Sequence, residues 1–163
     1  CDIFLEKGVF PNVKDGAYIS KLNRNSTILT FEGRYTIKEL TIEDLDRVVY
    51  LYKDIFQSHS PKKVMEEKLK TGRGRGYYIE VNGELLSIAQ SEIETKDAAL
   101  IVGVATSIKH RNKGLASELL KHLINILLIE GKDIYLQYDN LDAGKIYEKL
   151  GFKTVDQVKH YIK

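Results

Sequence analysis

The chain has 163 residues, 25 of them basic and 23 acidic, for a formal net charge of +2. That length supports one domain with a sizeable core and a small appended piece. The near-balance of charge and 43% hydrophobic content exclude a disordered chain and a polybasic nucleic-acid surface. No apolar run is long enough to cross a membrane, and the N-terminus carries no apolar signal-peptide core. The one cysteine, Cys1, excludes an internal disulfide and fits a reducing compartment, so a cytoplasmic location is expected. A chain that starts on Cys1 reads as a fragment, either processed or one domain of a longer polypeptide.

Residues 1–33 are punctuated by Gly8, Pro11, Asn12 and Gly16, which mark turns. Tyr18 to Leu22 suits a short strand or an irregular extension, and Ser26 to Phe31 is β-prone. The segment reads as the tail of a preceding domain or as an arm packed on the main one, which then covers 34–163. Tyr35 to Glu39 alternates as a short strand. Thr41 then caps a helix expected over Ile42 to Phe56, with Asp44 three residues later in a near-match to a capping box. A second helix runs from Pro61 to Lys70, capped by Ser60. The basic, glycine-rich Thr71 to Gly76 precedes a strand, the wrong context for anion binding at a helix start. Gly76 to Val81 and Glu84 to Ser91 flank Asn82-Gly83, a strong hairpin signal. Lys96-Asp97 marks the next turn.

Leu100 to Ala105 is almost wholly apolar, as in a strand buried on both faces. Apolar residues at 115, 116, 119, 120, 123, 124, 127 and 128 then define an amphipathic helix to Glu130, stopped by Gly131. The junction, Arg111-Asn112-Lys113-Gly114-Leu115-Ala116, combines unpaired helix-start N–H groups, a permissive glycine and basic side chains. That pattern fits a bound anion, with phosphate the usual occupant. Ile134 to Tyr138 follows the crossover and should lie parallel to the central strand. Leu141 to Leu150 is a short helix, and Phe152 to Ile162 a last strand. His59, His110, His122 and His160 share no motif, and no Cys/His cluster has metal-ligand spacing.

Two motifs now stand in order. Arg111-x-x-Gly114-x-Ala116 resembles the pyrophosphate loop of the GCN5-related N-acetyltransferase (GNAT) superfamily. Asn140-x-x-Ala143-x-x-x-Tyr147-x-x-x-Gly151-Phe152 resembles a second signature of that superfamily, and the order of elements from about Tyr35 to Ile162 is similar as well. The resemblance implies an α/β (α+β) acyltransferase fold, with a mixed, mostly antiparallel central sheet flanked by helices. It implies an N-acetyltransferase that uses acetyl-CoA, whose arm lies where the central strand and the Ile134 strand splay apart. The backbone of Val102 to Thr106, including Val104, Ala105 and Thr106, would pair with that arm. Val104 N–H would face the thioester carbonyl. Arg111, Asn112, Lys113, Gly114, Leu115 and Ala116 would hold the pyrophosphate, Asn140 would contact the arm, and Tyr147 would stand near the sulfur as general acid.

The general base is left between Glu92 and Glu94, with Glu80 a weaker option. The acceptor is an amine, of a small molecule or of a protein, with a small molecule favoured. No nucleic acid, membrane or metal is expected. A homodimer, or packing against a preceding domain, fits the chain ends. Family members often add another strand after the last one read here, so either the fold is short there or residues 1–33 or a partner fill that edge. The alternative is a regulatory module that holds coenzyme A without turnover.

Overall fold

The computed structural model describes residues 18–29, 33, 35–56, 59, 61–111, 113–138 and 141–157. In chain order the elements are β1 (Tyr18–Leu22), β2 (Ile37–Glu39), a 3-10 turn (Ile42–Asp44), α1 (Leu45–Ile55), α2 (Lys62–Thr71), β3 (Gly76–Val81), β4 (Glu84–Glu92) and β5 (Ala98–Thr106). A second 3-10 turn (Ile108–His110), α3 (Leu115–Ile129), β6 (Asp133–Tyr138), α4 (Leu141–Lys149) and β7 (Lys153–Gln157) complete them. The strands form one sheet in the order β2-β3-β4-β5-β6-β1-β7. Every neighbouring pair is antiparallel except β5 and β6. This is the mixed, mostly antiparallel sheet flanked by helices that the resemblance implies.

Local chemistry explains most of the boundaries. Asn82 (φ 53°) and Gly83 (φ 80°) both take the left-handed conformation that a two-residue hairpin turn demands. At Gly131 (φ 78°) the chain turns out of α3. Its N–H donates to Leu128 O and the Lys132 N–H to Leu127 O, the pair of bonds that closes a helix through a C-terminal glycine. The Thr41 N–H donates to Asp44 Oδ2 at 2.9 Å, half of a capping box. The expected helix from Ile42 opens as a 3-10 turn before α1 begins, because Asp44 is drawn back to Thr41. Ser26 to Leu29 form no strand. The Leu29 backbone pairs with a side chain instead: its N–H donates to Asn125 Oδ1 and its carbonyl accepts from Asn125 Nδ2, each at 2.8 Å. Ser60, Thr30, Phe31 and residues 158–162 lie outside the described residues.

Two apolar layers sandwich the sheet. On one side Leu119, Leu120, Leu123, Ile124 and Leu127 of α3 pack on Tyr77, Ile79, Leu86, Ile101, Ile134 and Leu136. On the other, Leu45, Val48, Leu51 and Tyr52 of α1 and Met65 of α2 pack on Tyr78, Leu85, Ile88 and Ala105. Strands β4 and β5 therefore have both faces covered, which is why β5 reads as a nearly continuous apolar run.

Tyr18–Leu22, within the segment read as a tail or an arm, is a strand inserted between β6 and β7. It pairs antiparallel with both: Tyr18 lies opposite Tyr138 on one side and Gln157 on the other. The position beside β6 is thus filled from the N-terminal side of the chain.

Candidate active site

The site begins where two parallel strands part. β5 and β6 pair from Ala98↔Asp133 to Ile101↔Leu136 and no further, although β5 runs on to Thr106 and β6 to Tyr138. The β5 backbone from Val102 to Thr106 therefore has no β6 partner among the described residues. On its other side β5 pairs with β4, and the register shifts between Ile88 and Gln90. Gly103 and Val104 together face Ala89 there, a bulge with Gly103 at φ 61°. Bulges re-aim the backbone and concentrate at active sites.

The loop expected to hold an anion stands at the same end of β5. Gly114 precedes α3 in the left-handed conformation, φ 77°, and a Cβ built on it would meet open space. The first bond of the helix runs from the Glu118 N–H to Gly114 O. Among the described residues, the N–H groups of Leu115, Ala116 and Ser117 thus have no acceptor one turn back. Leu115 is 2% exposed and offers its backbone only. The Arg111 Nε donates to Thr106 O at 3.4 Å, which folds the loop against the end of β5. The Tyr35 hydroxyl donates to Lys113 O at 3.3 Å, bracing the loop from β2's side. Asn112 and Asn140 lie outside the described residues.

Tyr147 on α4 packs beside Tyr138, ring centroids 5.7 Å apart, and Phe152, 6.3 Å apart. Burial raises its pKa above the ordinary tyrosine value, so the phenol stays protonated at neutral pH. Among the described residues its hydroxyl has no hydrogen-bond partner.

The two acidic candidates sit in different surroundings. Glu94 accepts from Arg75 Nη2 at 2.7 Å and from Lys132 Nζ at 2.8 Å, and its side chain is 4% exposed. Burial works to raise this carboxyl, but the bonds from Arg75, Lys132 and Ser91 overcome it and hold it at about 2. A carboxylate so held is a poor proton acceptor at neutral pH. Glu92, the last residue of β4, lies opposite Leu100, and its charge is felt by Tyr52 and Lys68. The chain leaves β4 through Ile93 at φ 55°, which breaks the alternation that would put both acids on one face. Glu80 is taken up by Lys38 and Arg47.

A family model described as acetyltransferase (GNAT) matches residues 45–152, well over half of the chain and both motifs. The chain belongs to the acetyltransferase (GNAT) family. An N-alpha-acetyltransferase of Sulfurisphaera tokodaii is 24% identical over 142 residues, 78% of this chain and 85% of that protein. Among solved structures, a protein of Novosphingobium aromaticivorans assigned to the GNAT family as an acetyltransferase superposes with a TM-score of 0.73 at 20% identity. It covers 89% of this chain, which spans only 62% of that one. A protein of Clostridium acetobutylicum assigned as an acetyltransferase, with acetyl-CoA, gives a TM-score of 0.66 at 18% identity, over 78% of this chain and 95% of that one. At these identities the structural likeness speaks for the fold alone.

The GNAT frame makes coenzyme A the anion to fit, and the donor set suits it. Three helix-start N–H groups, the loop's basic residues and a glycine without steric neighbours are the kind of donors that suit a diphosphate. The adjoining strip of β5 backbone offers N–H and C=O groups to an extended amide-containing arm.

Sequence reasoning missed three residues next to the bulge. Tyr52, within the helix expected over Ile42 to Phe56, donates its hydroxyl to Gly103 O at 2.7 Å. Gln90 Nε2 donates to that hydroxyl at 2.7 Å, and Lys68 Nζ donates to Gln90 Oε1 at 2.8 Å. One signal was visible: the Gln90 amide follows directly on the mostly apolar Leu85–Ala89 stretch and has to find partners if the strand is buried.

Proposed function

We propose that this GNAT-family chain transfers the acetyl group of acetyl-CoA to a primary amine by direct attack of the amine on the thioester carbon. The observation that carries this reading is the parting of β5 and β6 after Ile101↔Leu136, directly beside the left-handed Gly114 and the open start of α3. Bound acetyl-CoA supplies an activated acyl group. Arg111, Lys113 and the N–H groups of Leu115 and Ala116 hold its diphosphate, with Asn112 assigned to the same loop and Asn140 to the arm. The backbone of Val102, Ala105 and Thr106 lines the arm, and Val104 N–H donates toward the carbonyl oxygen, where negative charge develops. Tyr147, kept protonated by burial, gives its proton to the departing sulfur. Glu92, rather than the ion-paired Glu94, takes the amine's proton, directly or through water.

For the acceptor we propose the α-amine of a polypeptide N-terminus. The name of the Sulfurisphaera relative supports this class. The test is thiol release from acetyl-CoA with short peptides carrying a free α-amine, each paired with its N-acetylated copy that retains a lysine. Turnover with the free α-amine alone is expected. Turnover on lysine alone, or only on small amines, would overturn the acceptor class. Placing Glu at Gly114 puts a carboxylate against the cradle, and the chain should then no longer bind acetyl-CoA. Unchanged binding would remove the cradle from the reading.

A further inference from the structure

We infer that Tyr52 is a positioning residue that, set by Gln90 and Lys68, orients and polarises the Gly103–Val104 peptide so that Val104 N–H is a stronger donor. This rests on the proposed role of that N–H.

The polarity of the chain of bonds is fixed by its ends. Lysine can only donate, so Gln90 must present its carbonyl oxygen to Lys68 Nζ at 2.8 Å and its NH₂ to Tyr52. The Tyr52 hydroxyl accepts from Gln90 Nε2 at 2.7 Å and spends its own proton on Gly103 O, also at 2.7 Å. Every link therefore points the same way, from the lysine ammonium to the peptide carbonyl. Gln90 is 2% exposed and Tyr52 3% exposed, so water does not compete for these bonds, and in such surroundings successive bonds strengthen one another.

The carbonyl at the end of the chain belongs to the bulge. The peptide that follows Gly103 is trans, so its N–H, which is that of Val104, points opposite to the oxygen that Tyr52 holds. Drawing electron density toward that oxygen deepens the amide resonance and makes the Val104 proton more acidic. Position 103 is also closed to any side chain: a Cβ there would collide with Tyr52 Oη, and φ is 61°. Glycine and tyrosine are thus fitted to each other at the residue whose backbone sets the donor. Lys68 keeps its charge through the neutral range, because burial lowers it only to about 8, with Glu92 and Glu94 working in the opposite direction.

A purely structural role would have Tyr52 and Gly103 simply satisfying each other's buried polar atoms. The full chain distinguishes the two. In the free protein, Tyr52→Phe keeps the packed ring and removes the bond; the Val104 amide proton should move upfield, and Lys68→Met should move it the same way by less. With acetyl-CoA and the peptide acceptor, Tyr52→Phe should lower kcat about 10-fold with KM for acetyl-CoA unchanged. That is less than the roughly 100-fold for losing an oxyanion donor outright. If Tyr52→Phe does not fold, the Lys68→Met shift and kcat decide alone. An unmoved Val104 amide with wild-type kcat, or a loss confined to KM or thermal stability, overturns the inference and leaves the proposed function standing. A wild-type chain that binds no acetyl-CoA overturns the proposed function and this inference with it.

Discussion

Tyr147 carries the sharpest residue-level prediction. Its hydroxyl is held protonated by burial, and its ring packs between Tyr138 and Phe152. Tyr147→Phe removes the proton and keeps the packing. If the phenol protonates the leaving thiolate, kcat should fall at least about 100-fold, the low end of general-acid effects, while titration gives an unchanged Kd for acetyl-CoA. Equal losses in kcat and affinity would reduce the tyrosine to a packing residue. Glu92→Gln should act on the other proton and lower kcat with Kd for acetyl-CoA unchanged, whereas an equal loss of kcat in Glu94→Gln would remove the distinction between the two acids. The sequence did not separate these two acids, since a strand that simply continued would have put both on one face. The distinction arises at Ile93, whose left-handed backbone at φ 55° is rare for a β-branched residue and invisible to pattern. The left-handed backbone at Gly114, φ 77°, was legible because a glycine between a strand and a helix marks a turn that few other residues can make. Tyr52 was not legible, since a tyrosine at helical spacing looks like core until its hydroxyl's partner is known.

At the scale of elements, one ion network ties together ends that meet only in three dimensions. Arg75, just before β3, pairs with Glu94 after β4 and with Glu130 at the end of α3, while Lys132 before β6 bonds both acids. Sequence periodicity gave the helices and the hairpin, because those depend on neighbours in the chain. It gave no hint of the network, whose members are up to 57 residues apart, from Arg75 to Lys132. The network makes stability pH-dependent, and the sign follows from Glu94. Its carboxyl sits at about 2 in the folded chain against about 4.3 when unfolded. The contribution is therefore fully present above about pH 4.3 and is lost as pH falls toward 2. Glu94→Gln leaves two cations facing a neutral amide in a nearly buried position. It should cost on the order of 3 kcal/mol at neutral pH, measured by urea unfolding. The difference between variant and wild type should shrink as the pH is lowered through that window. A difference that stays constant from pH 7 to pH 2 would mean the charge of Glu94 is not what stabilises the junction.

For the whole molecule, the question is whether residues before 34 belong to the folding unit. Read along the sequence they resemble a tail or a packed arm, because glycine, proline and asparagine interrupt them and no long periodicity survives. In the sheet they supply β1, which separates β6 from β7 and hydrogen-bonds to both. Ile19 is 0% exposed and Leu22 3% exposed. The same stretch is fastened twice more: the Arg24 Nη2 bonds Asp133 Oδ2 at 2.9 Å, and Asn125 on α3 clasps both backbone groups of Leu29. Such ties depend on contacts about a hundred residues distant, so local pattern could not reveal them. A chain beginning at residue 34 would leave β6 and β7 with facing, unpaired edges, strip apolar cover from Ile134 and Leu136, and leave Asn125 and Asp133 without their partners. It should be insoluble or lack a cooperative thermal transition, and Ile19→Asp in the full chain should lower Tm by well over the roughly 3 °C that 1 kcal/mol represents at this size. Asn125→Ala, which removes only the clasp, should weaken hydrogen-exchange protection in β1 and β6 more than in β3 and β4. A shortened chain that melts cooperatively at the full chain's Tm would return residues 1–33 to the role of a passive tail. The wall beside β6 would then have to be completed by something other than β1.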